Sequence, residues 1–339
     1  MASQIVNRQS EQSLHDARII GTGSYVPERV LTNADLEKIV ETSDEWITTR
    51  TGIKERHIAA DGEAVYHMCA KAAERALEAA GLKAADIEMI ILGTFSGDQL
   101  LPATACLLQA RLGISNIPAF DVAAACSGFV YSLAIAKQFI TTGTYKNILV
   151  VGSDKLTAYT DWSDRNTCIL FGDGAGAAIV SNDGDGPLIG PFDLGAKGEL
   201  AHLVYVPIGG SLIPFTEKNA AEHGQFMKME GRELFKFAVQ KMEEAVRKTI
   251  EQEGLTLDDI KYIVPHQANV RILQAVAKNL GVDMERIFSN LEKYGNTSAA
   301  STPICLDEII RTKRFVRGDK IVLVAFGGGF TYGSCILEW

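Results

Sequence analysis

Apolar residues recur along this chain in two alternating patterns: short unbroken runs, and longer stretches with apolar positions three and four apart. That alternation predicts layered α/β structure. Ala17–Pro27, Ile87–Gly93, Pro118–Val122 and Asn147–Gly152 read as strands, and the near-continuous apolar run from Ile87 predicts a central strand buried on both faces. Between them Ala64–Ala80 ends at Gly81 and reads as a helix with a glycine cap. Pro102–Leu112 and Ser127–Thr141 also read as helices. Thr32-Asn33 and Ser43-Asp44 are placed to cap two short helices, Ala34–Val40 and Glu45–Thr49. Alternating strands and helices predict largely parallel pairing.

A polar, glycine-rich break follows Val180 (Ser-Asn-Asp-Gly-Asp-Gly-Pro), and the pattern then starts again. Residues 191–230 are less regular, and Arg232–Glu253 is a long amphipathic helix. Ile260–Pro265 is a buried strand, Val270–Leu280 a helix, and another helix runs to about Thr312. Ile321–Ala325 is a strand entering Gly327–Gly329. The strands beginning at Ile87 and Ile260 are 173 residues apart, and Cys126 and Asn296 are 170 apart. The recurrence predicts an internal duplication, with halves 17–185 and 186–339. It makes Cys126 and Asn296 counterparts, each opening a buried helix near a pseudo-twofold axis. Residues 1–16 are polar, lack the apolar core of a signal peptide, and read as a disordered tail.

Composition narrows the class. With 339 residues, 47% apolar and 22% charged, the chain is an ordinary globular protein with room for a sizeable core. A net charge of −9 gives nucleic-acid binding no support, so an anionic partner must meet a local basic patch. Cys69, Cys106, Cys126, Cys168, Cys305 and Cys335 are scattered, which reads as free thiols in a reducing, cytoplasmic compartment. His57, His67 and His202 do not pair with other ligand types at metal spacing, so neither a metal nor another cofactor is expected. The longest near-apolar run, Val122 to Ala136, is too short to cross a bilayer. Two glycine-rich stretches are set aside as nucleotide loops. The first, Gly21-Thr-Gly-Ser, runs into Pro27 instead of a helix; Phe171–Ala178 lacks a Gly-Lys-Ser/Thr ending and reads as a tight structural turn.

The chemistry centres on Asp-Val-Ala-Ala-Ala-Cys-Ser-Gly at 121–128, where Cys126 sits among small residues at a helix start suited to a thiolate. His266 directly follows a buried strand, Asn296 starts the helix opposite Cys126, and Gly327–Gly329 allows close approach of backbone N–H groups. Singly these read as an inert buried thiol, a structural histidine and a helix cap. Converged by the duplication, they form a nucleophile beside two neutral hydrogen-bond donors, which suits acyl transfer through a thioester. No carboxylate accompanies the histidine, so carbon–carbon condensation fits better than hydrolysis. Backbone N–H groups of Cys126 and the glycine run would hold the oxyanion. Trp46 and Arg50 share a helix face. Either the indole packs under an arginine stem, or the pair forms a pocket mouth for an adenine ring and phosphate.

Ala-Ala-Ala-Cys-Ser-Gly-Phe, Pro-His-Gln-Ala-Asn, Gly-Asn-Thr-Ser-Ala-Ala-Ser and Phe-Gly-Gly-Gly-Phe-Thr-Tyr-Gly resemble the motifs of the beta-ketoacyl-acyl-carrier-protein synthase III family. The resemblance covers about residues 17–339 and includes Thr-Ser-Asp-Glu-Trp-Ile at 42–47. The Cys-His-Asn set differs from the Cys-His-His of elongating synthases and the Cys-His-Cys of thiolases. It implies a thiolase-like five-layer αβαβα sandwich, a homodimer, and the reaction that starts type II fatty acid synthesis. Cys126 would take an acyl group from acyl-CoA; malonyl-acyl-carrier-protein would lose CO2, with His266 and Asn296 stabilising the enolate. The resemblance also places Trp46, Arg50, Arg165, Gly231 and Asn269 along CoA and its pantetheine arm. Gly328 would join Cys126 in the oxyanion hole, and Lys236, Arg271 and Lys278 would receive the acidic carrier protein. Leu101, just before Pro102, would line the acyl pocket, where a leucine in place of a bulky aromatic would admit longer or branched primers. Two other readings remain: a specialised-metabolism relative using the same triad on a non-carrier acceptor, and a papain-like Cys-His-Asn hydrolase, against which the duplication argues.

Overall fold

A computed structural model describes residues 14–339. Nine strands carry the architecture: β1 (Arg18–Tyr25), β2 (Met89–Gly93), β3 (Ala119–Val122), β4 (Asn147–Lys155), β5 (Asp173–Ser181), β6 (Leu188–Gly195), β7 (Ile260–Pro265), β8 (Lys320–Gly327) and β9 (Thr331–Glu338). They hydrogen-bond in the order β7-β8-β9-β6-β1-β5-β4-β2-β3. Read outward from the centre, β1-β5-β4-β2 repeats as β6-β9-β8-β7. The two half-sheets meet at the β1–β6 pair, in register at Arg18 and Leu188.

The pairing is mixed, not largely parallel. β2 pairs in parallel with β3 and β4, and β7 with β8. β5 runs antiparallel to β1 and β4, and β9 antiparallel to β6 and β8. Only Gly328–Phe330 separate β8 from β9, too few residues for the crossover a parallel pair requires. The expected tight turn at Phe171–Ala178 is instead mostly β5, buried along its whole length. Its small residues serve packing: a Cβ on Gly176 would lie 2.7 Å from the Pro303 Cβ.

Seven helices complete the frame: α1 (Asp44–Thr51), α2 (Val65–Ala80), α3 (Thr104–Arg111), α4 (Gly128–Thr141), α5 (Gly231–Gln252), α6 (Val270–Leu280) and α7 (Ser301–Thr312). α2 covers β1, β4 and β5 from outside, and α5 covers β6, β8 and β9. α4 and α7 lie between the half-sheets, each touching strands of both. The result is the five-layer thiolase-like sandwich. Its middle layer buries Phe129 and Leu133 of α4 and Leu306 and Ile309 of α7 in one apolar cluster. The helix expected over Ala34–Val40 stops at Leu36, and residues 37–39 continue as a turn. Of the expected tail, residues 1–13 lie outside the described residues. His15 N–H donates to the Thr141 carbonyl at 3.0 Å, which ties the remainder to the end of α4.

Around the two helix starts, and from β4 to β8, the duplication keeps a spacing of 173 residues. Ala125 and Ser298 both adopt left-handed backbone, at φ 46° and 51°. Each opens a single 3-10 turn, Ala125–Ser127 and Ser298–Ala300, that feeds α4 at Gly128 and α7 at Ser301. At that spacing the counterpart of Cys126 is Ala299, and that of Asn296 is Ala123. The expected pairing of Cys126 with Asn296 is therefore three residues out: the two sit at different points of the same turn.

Candidate active site

Cys126, His266 and Asn296 line one cavity of about 500 Å³, together with Trp46, Arg50, Gly231, Asn269, Arg271 and Gly328. Phe95, Leu156, Ile169, Val204 and Met227 supply its apolar wall.

Cys126 occupies the middle of the first 3-10 turn. The turn sits deep because β2 ends in Gly93: a Cβ there would come within 2.4 Å of the Gly128 carbonyl carbon. From the other half Gly327 presses on the nucleophile, and a Cβ on it would lie 2.6 Å from the Cys126 nitrogen. The Ser298 hydroxyl donates to Sγ at 3.3 Å. Burial pushes the Cys126 thiol up to about 12, with Ser298 and the cysteine's own N–H pulling the other way. A helix N-terminus is worth at most about 2 kcal/mol to an anion, less than the cost of burying this one. The resting group is the neutral thiol, not the thiolate that the helix start suggests.

His266 is 1% exposed. Its backbone N–H donates to the Val324 carbonyl at 2.7 Å, its ring meets Phe326 edge-on at 5.5 Å, and Nδ1 lies 2.6 Å from Ser301 Oγ. Burial alone drives its pKa down to about 3, so the imidazole is neutral. Asn296 is oriented by its own turn: Oδ1 accepts the Ser298 N–H at 2.9 Å, which leaves Nδ2 as the free donor. A thiol, a neutral imidazole and an amide thus share the cavity.

Several supporting residues escaped the sequence reading. Asp154, at the end of β4, is fully buried. Its Oδ1 accepts from Thr94 Oγ1 (2.9 Å), Ser96 Oγ (2.7 Å) and the N–H groups of Phe95 and Ser96 (both 3.1 Å). Oδ2 accepts the Ala299 N–H at 3.2 Å, which ties the first half to the second 3-10 turn. The available signal was an aspartate ending an apolar strand, since a carboxylate so placed needs several donors. Ser298 and Ser301 lay within the Gly-Asn-Thr-Ser-Ala-Ala-Ser motif without being singled out.

At the cavity mouth, the Arg50 and Arg165 guanidinium carbons lie 4.5 and 4.8 Å from the centre of the Trp46 ring. Trp46 and Arg50 both line the cavity while the guanidinium lies over the indole, so the packing of the pair and its place at the pocket coexist. Arg165 donates to the Glu41 carbonyl at 3.0 Å and Arg271 to the Thr49 carbonyl at 3.4 Å. Asn269 lines the cavity, and its Oδ1 caps α6 by accepting the Arg271 N–H at 2.8 Å. Lys236 on α5 and Lys278 on α6 are exposed and outside the cavity, on helices that pack together.

Leu101 lies apart from the cavity of this chain. It is 84% exposed and does not line the cavity. Asp98 is held by the N–H groups of Val65 and Tyr66, and Asp121 accepts the Thr104 N–H. With both ends anchored, the tip of the loop carries Leu100 and Leu101 outward. Among the described residues no group of three or more His, Cys, Asp or Glu side chains is placed to hold a metal ion, and no helix is long and apolar enough to cross a membrane.

A duplicated five-layer sandwich with cysteine, histidine and asparagine converging on one cavity defines a thiolase-like, acyl-transferring condensing enzyme. Two family models, 3-oxoacyl-[acyl-carrier-protein] synthase III and its C-terminal part, match residues 120–198 and 250–339. The beta-ketoacyl-[acyl-carrier-protein] synthase III of Caldanaerobacter subterraneus is 50% identical over 95% of this chain and 98% of its own. The crystal structure of the Aquifex aeolicus 3-oxoacyl-[acyl-carrier-protein] synthase III superposes with a TM-score of 0.88 at 47% identity, covering 95% of this chain and all of that one. A priming beta-ketosynthase from the R1128 polyketide pathway superposes at 0.89 with 33% identity, over 96% of this chain and 97% of its own. The chain belongs to the beta-ketoacyl-[acyl-carrier-protein] synthase III family.

Proposed function

We propose that this enzyme starts type II fatty acid synthesis by condensing a short acyl-CoA, acetyl or slightly longer, with malonyl-acyl-carrier-protein. The observation that carries the reading is the meeting of one thiol and two neutral donors in a cavity whose mouth bears a tryptophan beside two arginines. Trp46, Arg50 and Arg165 hold the adenine and phosphate end of CoA, and the pantetheine arm passes Gly231 and Asn269. Cys126 Sγ attacks the acyl carbon and the carbon–sulfur bond to CoA breaks. The proton lost by Cys126 leaves with the CoA thiol. N–H groups of Cys126 and Gly328 hold the oxyanion in transit. Malonyl-acyl-carrier-protein then takes CoA's place. Its bond to the terminal carboxyl breaks, CO2 departs, and the electron pair becomes an enolate whose oxygen is held by His266 and Asn296. The enolate carbon attacks the acyl-Cys126 carbon, the thioester to Cys126 breaks, and the sulfur regains a proton from solvent. The product is 3-ketoacyl-acyl-carrier-protein.

Lys236, Arg271 and Lys278 form the cationic face that receives the acidic carrier protein on a chain of net charge −9. The enzyme works as a cytoplasmic homodimer without a cofactor or membrane insertion, its two halves being 17–185 with the nucleophile and 186–339 with the donors.

Incubation with labelled acetyl-CoA followed by intact mass tests this. The wild type gains one acetyl group, Cys126→Ala gains none, and malonyl-acyl-carrier-protein discharges the label as acetoacetyl product. Discharge only by an acceptor other than the carrier protein would move the enzyme to a specialised pathway. Absence of any acyl-enzyme would overturn the mechanism.

A further inference from the structure

We infer that Ser301 is a positioning residue that sets the tautomer of His266, placing the imidazole proton on Nε2 so that the ring offers a donor to the cavity. A neutral imidazole has one N–H and one lone pair, and which nitrogen holds the proton follows from the partner of the other. Here Nδ1 lies 2.6 Å from Ser301 Oγ. The same oxygen already accepts the backbone N–H of Gln267 at 3.3 Å. The Ser301 hydroxyl has one proton to place, and among the described residues Nδ1 is the acceptor within reach. The reverse arrangement, Nδ1–H into Oγ, would leave that proton without an acceptor at a residue 2% exposed, where water gives no relief.

The comparison of the halves points the same way. At the 173-residue spacing, His266 corresponds to Gly93 and Ser301 to Gly128. In the first half these two positions meet as bare backbone, and a Cβ on Gly93 would lie 2.4 Å from the Gly128 carbonyl carbon. The hydroxyl occurs at the helix start in the half that has a histidine to orient.

An Nε2–H fits His266 to hydrogen-bond the enolate oxygen and unfits it to take the Cys126 proton, which is why the proposed acylation sends that proton out with CoA. This inference rests on the proposed function for its catalytic consequence, but the tautomer is measurable in the resting enzyme. Nitrogen-15 NMR of histidine-labelled protein, with the His266 signals assigned by their loss in His266→Ala, is expected to show a pyrrole-type Nε2 and a pyridine-type Nδ1. In Ser301→Ala the two signals move toward a mixture. Decarboxylation of malonyl-acyl-carrier-protein falls about ten- to a hundredfold, while single-turnover acylation by acetyl-CoA changes less than twofold. Ser301→Thr, which keeps the hydroxyl, restores both. A wild-type ring protonated at Nδ1 overturns the inference, and so does a Ser301→Ala variant that slows both half-reactions equally. If no acyl-enzyme forms from any acyl-CoA, the proposed function fails while the tautomer result stands.

Discussion

The two halves of this protein share a fold and divide the chemistry. Cys126 faces the counterpart Ala299, His266 the counterpart Gly93, and Asn296 the counterpart Ala123. Every reactive group is present once, and its double is a small neutral residue. The sharpest contrast lies beneath the two 3-10 turns. In one, the Asp154 carboxylate accepts the Ala299 N–H. At the matching place in the other stands Gly327, pressed against the Cys126 nitrogen with no side chain to accept its N–H. A single side chain thus separates a turn whose N–H is taken by a carboxylate from one whose N–H meets no such acceptor.

The largest effects come from removing the second half's donors. His266→Ala and Asn296→Ala should each slow malonyl decarboxylation by about 10²- to 10³-fold. Acylation of Cys126 should change only a few-fold, as read by separate half-reaction assays; equal loss in both would break the division of labour between the halves. Next is Gly327→Ala, whose Cβ would sit 2.6 Å from the Cys126 nitrogen. Overpacking of about 1–3 kcal/mol should appear as acylation slower by about five- to 150-fold, and unchanged kinetics with unchanged thermal stability would contradict the contact. Ser298→Ala removes the donor to Sγ and should push the thiol higher still. Iodoacetamide labelling of Cys126 near neutral pH should then slow by about three- to tenfold, the worth of roughly 1 kcal/mol for one hydrogen bond.

A last prediction concerns acid and is read in stability, not in rate. Folded His266 stays neutral to about pH 3, whereas the unfolded chain protonates it near 6.5. Unfolding therefore takes up a proton below 6.5, so the stability tied to the neutral ring is present above that pH and lost as pH falls. The loss is up to about 1.4 kcal/mol per pH unit. Between pH 7 and 5 the wild type should lose about 2 kcal/mol more than His266→Asn in denaturant titrations; parallel losses would show that the ring is not neutral in the fold.

Much of the frame was legible in the chain because it is locally specified. Strand Ile260–Pro265 and helix Val270–Leu280 stand as their apolar patterns and the Gly281 cap imply, with Gly281 at φ 74°. β5 was not legible, because a strand of glycine and alanine has no hydrophobic alternation to show; its small residues answer to α7, more than 120 residues away. The direction of Leu101 was equally hidden, since Asp98 and Asp121 anchor its loop through N–H groups of other segments.

What the sequence by itself determined was the choice of reactive groups: one cysteine among small residues, one histidine after a strand, one asparagine in a glycine-bounded motif, and a repeat that had to bring them together. Their states were decided by the tertiary structure. Burial holds the thiol and the imidazole neutral, Ser298 reaches the thiol across the junction of the halves, Ser301 meets the imidazole from a helix start within the same half, and Asp154 fills the place that Gly327 leaves open. The physical reason is that a residue's type is a local property, whereas its desolvation and its hydrogen-bond partners depend on segments that only folding brings near.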